Sequence, residues 1–209
     1  MRWQDVPMPP GVAARPREPG TGRPVPWIAE WSSGDLAITS DPERGLVADC
    51  ACVIGDGEPT LGELCDKRQK LSMRRLICQV CGTRIPEGAP AHWFGHAEIA
   101  AYREPPACLP CAIYGARVCP ELLARRKGGE QLAVHVSYGR PRLLEERMPP
   151  GGETSADAVV VPPEIGPFVG VLAMYRAVPQ DGERLLVADW LPRQDDRRHG
   201  QRRAGEVAG

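Results

Sequence analysis

Two pairs of cysteines with the same internal spacing limit the folding of this chain more than any other feature. Two residues separate Cys78 from Cys81 and Cys108 from Cys111, and 26 residues lie between the pairs. A C-x2-C turn can direct two thiolates at one ion, and two such turns supply the four sulfurs of a tetrahedral zinc site. We therefore expect one structural Zn²⁺ held by Cys78, Cys81, Cys108 and Cys111.

The residues around the two pairs predict how the site is built. Gly82 follows the first pair and can supply the backbone freedom of a tight turn. Prolines before and within the second pair indicate the start of a helix, whose positive end stabilises thiolates. A turn, a hairpin and then a helix form a treble-clef-like unit, which we place at about residues 76–125. Four protein ligands close the site, so the metal is expected to be structural and not catalytic.

The other four cysteines do not follow this spacing. They are Cys50, Cys52, Cys65 and Cys119. Irregular spacing makes a second metal site the weaker interpretation, and small buried apolar residues the stronger one. The N-terminus shows no secretion signal, so we expect reduced thiols in a cytoplasmic protein. No apolar stretch is long enough to cross a bilayer, so no membrane partner is expected.

Length predicts one domain, or else two small ones, composition predicts long loops, and the expected helices and strands make the fold α+β. The chain has 209 residues, of which 23 are Gly and 23 are Pro, and its net charge is −1. That charge excludes a globally basic nucleic-acid binder and an acidic disordered chain. Seven prolines in residues 1–26 predict an extended or disordered arm. We place the domain at 27–192 and a disordered tail at 193–209.

Alternating and β-branched segments predict a small antiparallel sheet joined to the zinc unit. We expect a hairpin within 25–39, with its turn at Ser32–Asp35. A second hairpin is expected from 169–178 and 184–191, because Asp181-Gly182 between them favours the positive φ angles of a tight turn. Two further strands are expected at 131–138 and 158–161.

One basic helix is predicted between Leu61 and Leu76. Thr60 and Glu63 have the spacing of a capping box, which would begin the helix at Leu61. The helix carries five basic residues that could contact nucleic acid: Lys67, Arg68, Lys70, Arg74 and Arg75. A solvated helix face is the stronger interpretation, because the chain is neutral overall and no aromatic residues alternate with the charges.

An enzymatic alternative uses a different set of zinc ligands. His96 and Glu98, followed by Cys108 and Cys111, are similar to the H-x-E and P-C-x-x-C motifs of zinc-dependent nucleobase deaminases. Only nine residues separate Glu98 from Cys108, which is too few for the helix and strand that those enzymes place there. The motif also leaves Cys78 and Cys81 without a role.

The stretch from Cys78 to Leu122 resembles an uncharacterised zinc-binding family of actinobacteria and their phages. That family has a C-x2-C pair followed by E-P-P-x-H-x2-C-A and C-P-x-L. The matching residues here are Glu104-Pro105-Pro106, Cys111-Ala112, Tyr114, Cys119-Pro120 and Leu122. Cys108 stands where the family has His, a change that preserves a metal ligand. The resemblance implies a zinc site and a phage-related or actinobacterial source, but no activity.

These observations together predict a non-catalytic, zinc-stabilised binding or adaptor protein. The closed metal site and neutral charge favour a protein partner. Nucleic-acid binding through the basic helix is the alternative, and a deaminase-like enzyme is the third possibility.

Overall fold

The computed structural model describes residues 2–148, 159–161 and 170–196, and within them the fold is mixed α+β, as expected. A 3₁₀ turn at Trp3–Asp5 comes first. The helices are α1 (Pro10–Ala13), α2 (Asp66–Arg75), α3 (Leu109–Val118), α4 (Pro120–Lys127) and α5 (187–196). The strands are β1 (Ala29–Trp31), β2 (Leu36–Asp41), β3 (Gly45–Cys50), β4 (Pro59–Leu64), β5 (Ala91–His96), β6 (Leu132–Ser137), β7 (Arg142–Met148), β8 (Val159–Val161), β9 (Val171–Val178) and β10 (Glu183–Leu186).

The described strands form three small sheets. The largest has the order β2-β3-β9-β7-β8 and is antiparallel except between β3 and β9, which run parallel at Val47 and Leu172. The second, β10-β6-β5, is antiparallel throughout, and β1 pairs with β4 alone. No helix among the described residues is long and apolar enough to cross a membrane.

The predicted hairpin within 25–39 is wrong, although both of its strands exist. β1 pairs with β4, and β2 pairs with β3. The connecting residues are used for contacts with other segments, because Ser32 bonds Glu58 through both its backbone and its hydroxyl. A Cβ on Gly34 would lie 2.0 Å from the backbone nitrogen of Cys52, so this loop packs directly on the Cys52 backbone.

The second predicted hairpin is also wrong, for a related reason. Gly182 has the expected positive φ of 94°, but β10 pairs with β6 and not with β9. A Cβ on Gly182 would lie 1.9 Å from the carbonyl oxygen of Val136, so the turn is pressed against β6. The chain then enters α5, which buries Val187, Trp190 and Gln194 at helical spacing.

The basic helix begins later than the capping box predicts. Residues 59–64 form β4, and α2 begins at Asp66 with Cys65 at its N-cap. Gly62 has φ 99°, which a right-handed helix excludes, and Thr60 is paired with Glu30 of β1. Residues 59–64 therefore pair with β1 as a strand, where the capping box predicts the first turn of a helix.

The basic face of α2 is not fully exposed, which corrects both the expected solvated face and the alternative nucleic-acid surface. Arg68 and Lys70 are only 8% and 2% exposed, whereas Lys67, Arg74 and Arg75 are exposed. The ammonium of Lys70 bonds the carbonyl oxygens of Ala48 in β3 and Ala173 in β9 and pairs with Asp49. Lys70 of α2 thus links β3 and β9, the two strands that run parallel.

Residues 2–26 belong to the folded unit and are not an extended arm. Val6, Val12 and Val25 are buried between the prolines, and α1 begins with Pro10 at a position where proline favours a helix. The chain turns back on itself at a bridge between Arg17 and Pro24. Of the predicted disordered tail, residues 193–196 continue α5, and 197–209 lie outside the described residues.

A buried histidine in β5 predicts a pH dependence of stability. His92 is 2% exposed, lies 5.5 Å from the ring of Trp190, and burial lowers its pKa to about 4. The unfolded imidazole binds a proton below its ordinary pKa of 6.5, so stability is lost as the pH falls from 6.5 toward 4. We expect the His92 contribution to cost about 2 kcal/mol between pH 7 and pH 5.

Urea unfolding of the wild type and His92→Phe at both pH values measures this contribution as a difference. The variant keeps every cysteine and an aromatic ring beside Trp190, so other acid effects are shared. An equal loss of stability in the two proteins would contradict the assignment to His92.

Candidate functional site

The structure brings the two C-x2-C pairs together. The sulfurs of Cys78, Cys81, Cys108 and Cys111 all lie within 4.8 Å of one another, and those of Cys81 and Cys108 are 4.0 Å apart. Two sulfurs on one tetrahedral zinc would be about 3.8 Å apart, given a Zn–S distance of about 2.3 Å. This four-cysteine cluster could hold a metal ion.

A tight turn presents the first pair. The backbone nitrogen of Gly82 donates to the carbonyl oxygen of Cys78 at 2.9 Å, and Cys78 donates to Thr83. Gly82 has φ 78°, and a Cβ on it would lie 2.5 Å from the indole of Trp27. Glycine is therefore required here both by the backbone angle and by the packed ring.

Backbone contacts bring the second pair to the first. Gln79, inside the turn, donates from its backbone nitrogen to Pro106 and from its side-chain amide to Pro105. Ala107 exchanges two backbone hydrogen bonds with His92 of β5. The residues just before Cys108 are thus held on one side by the turn and on the other by a strand.

The second pair begins a helix, as the sequence predicts. Cys108 is the N-cap of α3, and Cys111 lies in its first turn. The helix dipole favours thiolate at this end, but hydrogen bonds to Cys108 above all, and then to Cys78, raise the pKa of Cys111. The pKa of the Cys81 thiol is strongly lowered, because Cys108 above all, and then Cys111, donate hydrogen bonds to its thiolate. A metal cation stabilises the same deprotonated sulfurs.

The N-terminal segment covers this cluster. A Cβ on Gly11 would lie 2.9 Å from the Cβ of Cys81, so α1 packs directly on the turn. Burial above all lowers the pKa of Arg15, just after α1, and the charge of nearby Cys81 opposes that shift. Two other arginines are close to the cysteine pairs in sequence. Arg117 forms an ion pair with Asp195, and Arg84 is exposed.

The structure does not assemble the deaminase-like site. Among the described residues, two groups of three or more metal-ligating side chains have all their ligand atoms within 4.8 Å, and neither contains His96 or Glu98. His96 ends β5, where it pairs with Leu132. Cys108 and Cys111 lie together with Cys78 and Cys81. Four protein ligands would fill a tetrahedral site and leave no position for a catalytic water.

The second group is a three-cysteine cluster formed by Cys50, Cys52 and Cys65. Cys50 ends β3, Cys65 precedes α2, and all three thiols are buried. Cys119 is not part of it. The C-x-C spacing and the position of Cys65 before a helix are the available sequence signals, but β3, β4 and α2 come together only through long-range packing.

An apolar cleft of about 410 Å³ lies beside the four-cysteine cluster, and sequence reasoning did not find it. Its walls come from the N-terminal segment, β4, the first cysteine turn, α3 and α4. The polar lining residues include Arg15, Arg23 and Tyr114. Each has a buried nitrogen or oxygen atom without a hydrogen-bond partner in the described part of the chain.

Comparison of the chain with protein-family models, with curated proteins and with solved structures found no match.

Proposed function

We propose that this protein is a non-catalytic binding module, stabilised by zinc at the four-cysteine cluster, that binds a segment of a partner protein in the apolar cleft. Four sulfurs at near-tetrahedral spacing support zinc, and the turn followed by a helix supports a treble-clef-like unit. The motif residues between Cys78 and Leu122 support membership of the actinobacterial and phage family.

The cleft is the observation that carries the proposed function. Its volume lies within the range of ligand-binding pockets, and most of its lining is apolar. Leu61, at its edge, is 43% exposed, so a bound segment would cover an apolar surface that water now contacts. Arg15 and Arg23 have unpartnered donors, but Glu63, Glu104 and Glu121 also line the cleft, so its charged lining is mixed. We infer a segment that fills the cleft with apolar side chains.

The structure gives less support to the nucleic-acid alternative. Arg68 and Lys70 are buried and bonded within the protein, which leaves Lys67, Arg74 and Arg75 on the helix surface. Three exposed charges on one short helix can contact only a few phosphates of a nucleic acid.

A peptide-display experiment with a cleft-filling variant tests the proposed function. Gly115 in α3 lines the cleft, and a Cβ built there meets no atom within 4 Å. A random-peptide library selected on the wild type is expected to enrich apolar sequences. Calorimetry with one synthetic peptide should then show at least a tenfold weaker affinity for Gly115→Leu, because leucine occupies the cleft.

Gly20→Leu is the matched control. Gly20 is also open around its Cβ and lies outside the cleft lining, so its variant should bind the peptide like the wild type. Folding of Gly115→Leu is expected to be preserved, since replacing a mid-helix glycine removes a cost of about 0.5–1 kcal/mol. No enriched peptide, or equal affinity of Gly115→Leu and wild type, would contradict the proposal.

A further inference from the structure

We propose that Cys50, Cys52 and Cys65 bind a second zinc ion, with Glu30 as the fourth ligand. This site is separate from the four-cysteine cluster and does not depend on the function proposed above. It lies in a smaller core, where the three cysteines pack with Val25, Ala29 and Trp31.

The three sulfurs already have the arrangement of metal ligands. They all lie within 4.8 Å of one another, and their residues are 3%, 8% and 0% exposed. The backbone nitrogen of Cys52 donates to the sulfur of Cys50 at 3.3 Å. A thiolate accepts such a bond better than a neutral thiol does. Gly34 allows its loop to lie on the Cys52 backbone, which holds this arrangement in place.

A buried cation beside the sulfurs is the strongest argument for metal. The guanidinium of Arg68 lies 3.0 Å from the sulfur of Cys52 and also donates to the carbonyl oxygens of Ala29 and Cys52, and the residue is 8% exposed. No ion pair between described residues involves Arg68. Burying a charge without an opposite charge beside it costs free energy. Three neutral thiols would therefore leave the Arg68 guanidinium unfavourably buried. Three thiolates and the Glu30 carboxylate on one divalent ion carry a net charge of −2, of which Arg68 offsets one unit.

Glu30 of β1 is an acidic side chain beside this cluster, and it accepts a hydrogen bond from Cys50. Its Oε1 lies 3.8 Å from the sulfur of Cys50. A thiolate sulfur and a carboxylate oxygen on one tetrahedral zinc would be about 3.6 Å apart. Glu30 is not within 4.8 Å of all three sulfurs, so its side chain must rotate to complete the site.

Metal stoichiometry of the full chain tests the proposal. Protein expressed with zinc and freed of loosely bound metal on a chelating resin is expected to contain two zinc ions per chain by elemental analysis. Cys65→Ser should contain one, and Cys119→Ser should retain two, because Cys119 belongs to neither cluster. A single zinc in the wild type that Cys65→Ser retains would overturn the proposal.

The pair Cys65→Ser and Cys111→Ser separates the two sites. If only the three-cysteine cluster binds, the wild type contains one zinc that Cys65→Ser loses and Cys111→Ser retains, which supports this inference and contradicts the four-cysteine site. With Co²⁺ in place of zinc, sulfur-to-metal charge-transfer absorption should fall in Cys65→Ser from seven metal–sulfur bonds to four. An unchanged absorption would contradict the second site.

Glu30→Gln tests the fourth ligand. Competition with a chromophoric chelator should show at least tenfold weaker binding of one of the two zinc ions, and unchanged binding of the other. Glu63→Gln on the exposed surface of β4 is the control, with both affinities unchanged. Equal affinities in Glu30→Gln and the wild type would contradict the assignment of Glu30.

Discussion

Cys111→Ser is expected to abolish the cooperative unfolding transition of the native protein. Cys78 and Cys111 are fully buried members of the main core, and the four-cysteine cluster joins the first cysteine turn to α3. Structural zinc contributes about 10 kcal/mol to the folding of small zinc-binding units, which matches the whole stability of an ordinary domain. Loss of one ligand therefore removes most of the stability. Urea unfolding followed by circular dichroism measures the effect.

Cys119→Ser provides the control for this prediction. Cys119 follows α3 directly and lies outside both cysteine clusters, so its variant should unfold within about 1 kcal/mol of the wild type. Chelation of the wild type should reproduce the Cys111→Ser result, and restored zinc should reverse it. A Cys111→Ser protein that unfolds at the wild-type urea concentration would show that the cluster does not stabilise the fold through a metal.

Lys70→Met should lower the free energy of unfolding by about 3 kcal/mol. The ammonium is 3.2 Å from Asp49 and bonds two backbone carbonyl oxygens, although burial lowers the pKa of Lys70. Removing one partner of a buried ion pair costs about 3–5 kcal/mol, and the lower value applies because Asp49 retains some contact with water. Methionine keeps the apolar stem, so the loss isolates the charge and its hydrogen bonds. Equilibrium urea unfolding gives the difference.

Lys67→Met is the matched control on the same helix. Lys67 is exposed and forms no ion pair in the described part of the chain, so its variant should stay within about 0.5 kcal/mol of the wild type. Combining Lys70→Met with Asp49→Asn should cost less than the two single changes added together, because they share one interaction. Equal stabilities of the Lys67 and Lys70 variants would contradict a bridging role for Lys70.

Local patterns predicted the elements better than their partners. The start of α3 at Cys108 follows from the prolines around it, and β6 follows from alternation within residues 131–138. The positive φ of Gly182 also agrees with its Asp-Gly sequence. Each of these features depends on a few neighbouring residues. The strand partners of β1 and β10 depend on segments far away in the chain, so turn residues alone predicted the wrong pairings.

The basic helix shows why the site residues were only partly predictable. Charge along α2 suggested an exposed surface, but Lys70 finds carbonyl oxygens on β3 and β9, and Arg68 finds the Cys52 sulfur. Long basic side chains can be buried when such acceptors are available. Sequence spacing does not reveal those acceptors, because they lie 16, 22 and 103 residues away along the chain.

The amino-acid sequence by itself determined which cysteines pair as C-x2-C turns, since two residues between thiols are a local geometric condition. It also determined that the second pair begins a helix. Only the tertiary structure decided that Cys50, Cys52 and Cys65 meet, that Arg68 lies beside them, and that the N-terminal segment forms one wall of a cleft. These contacts form when distant segments bury their apolar surfaces against one another, and that packing is a property of the whole chain.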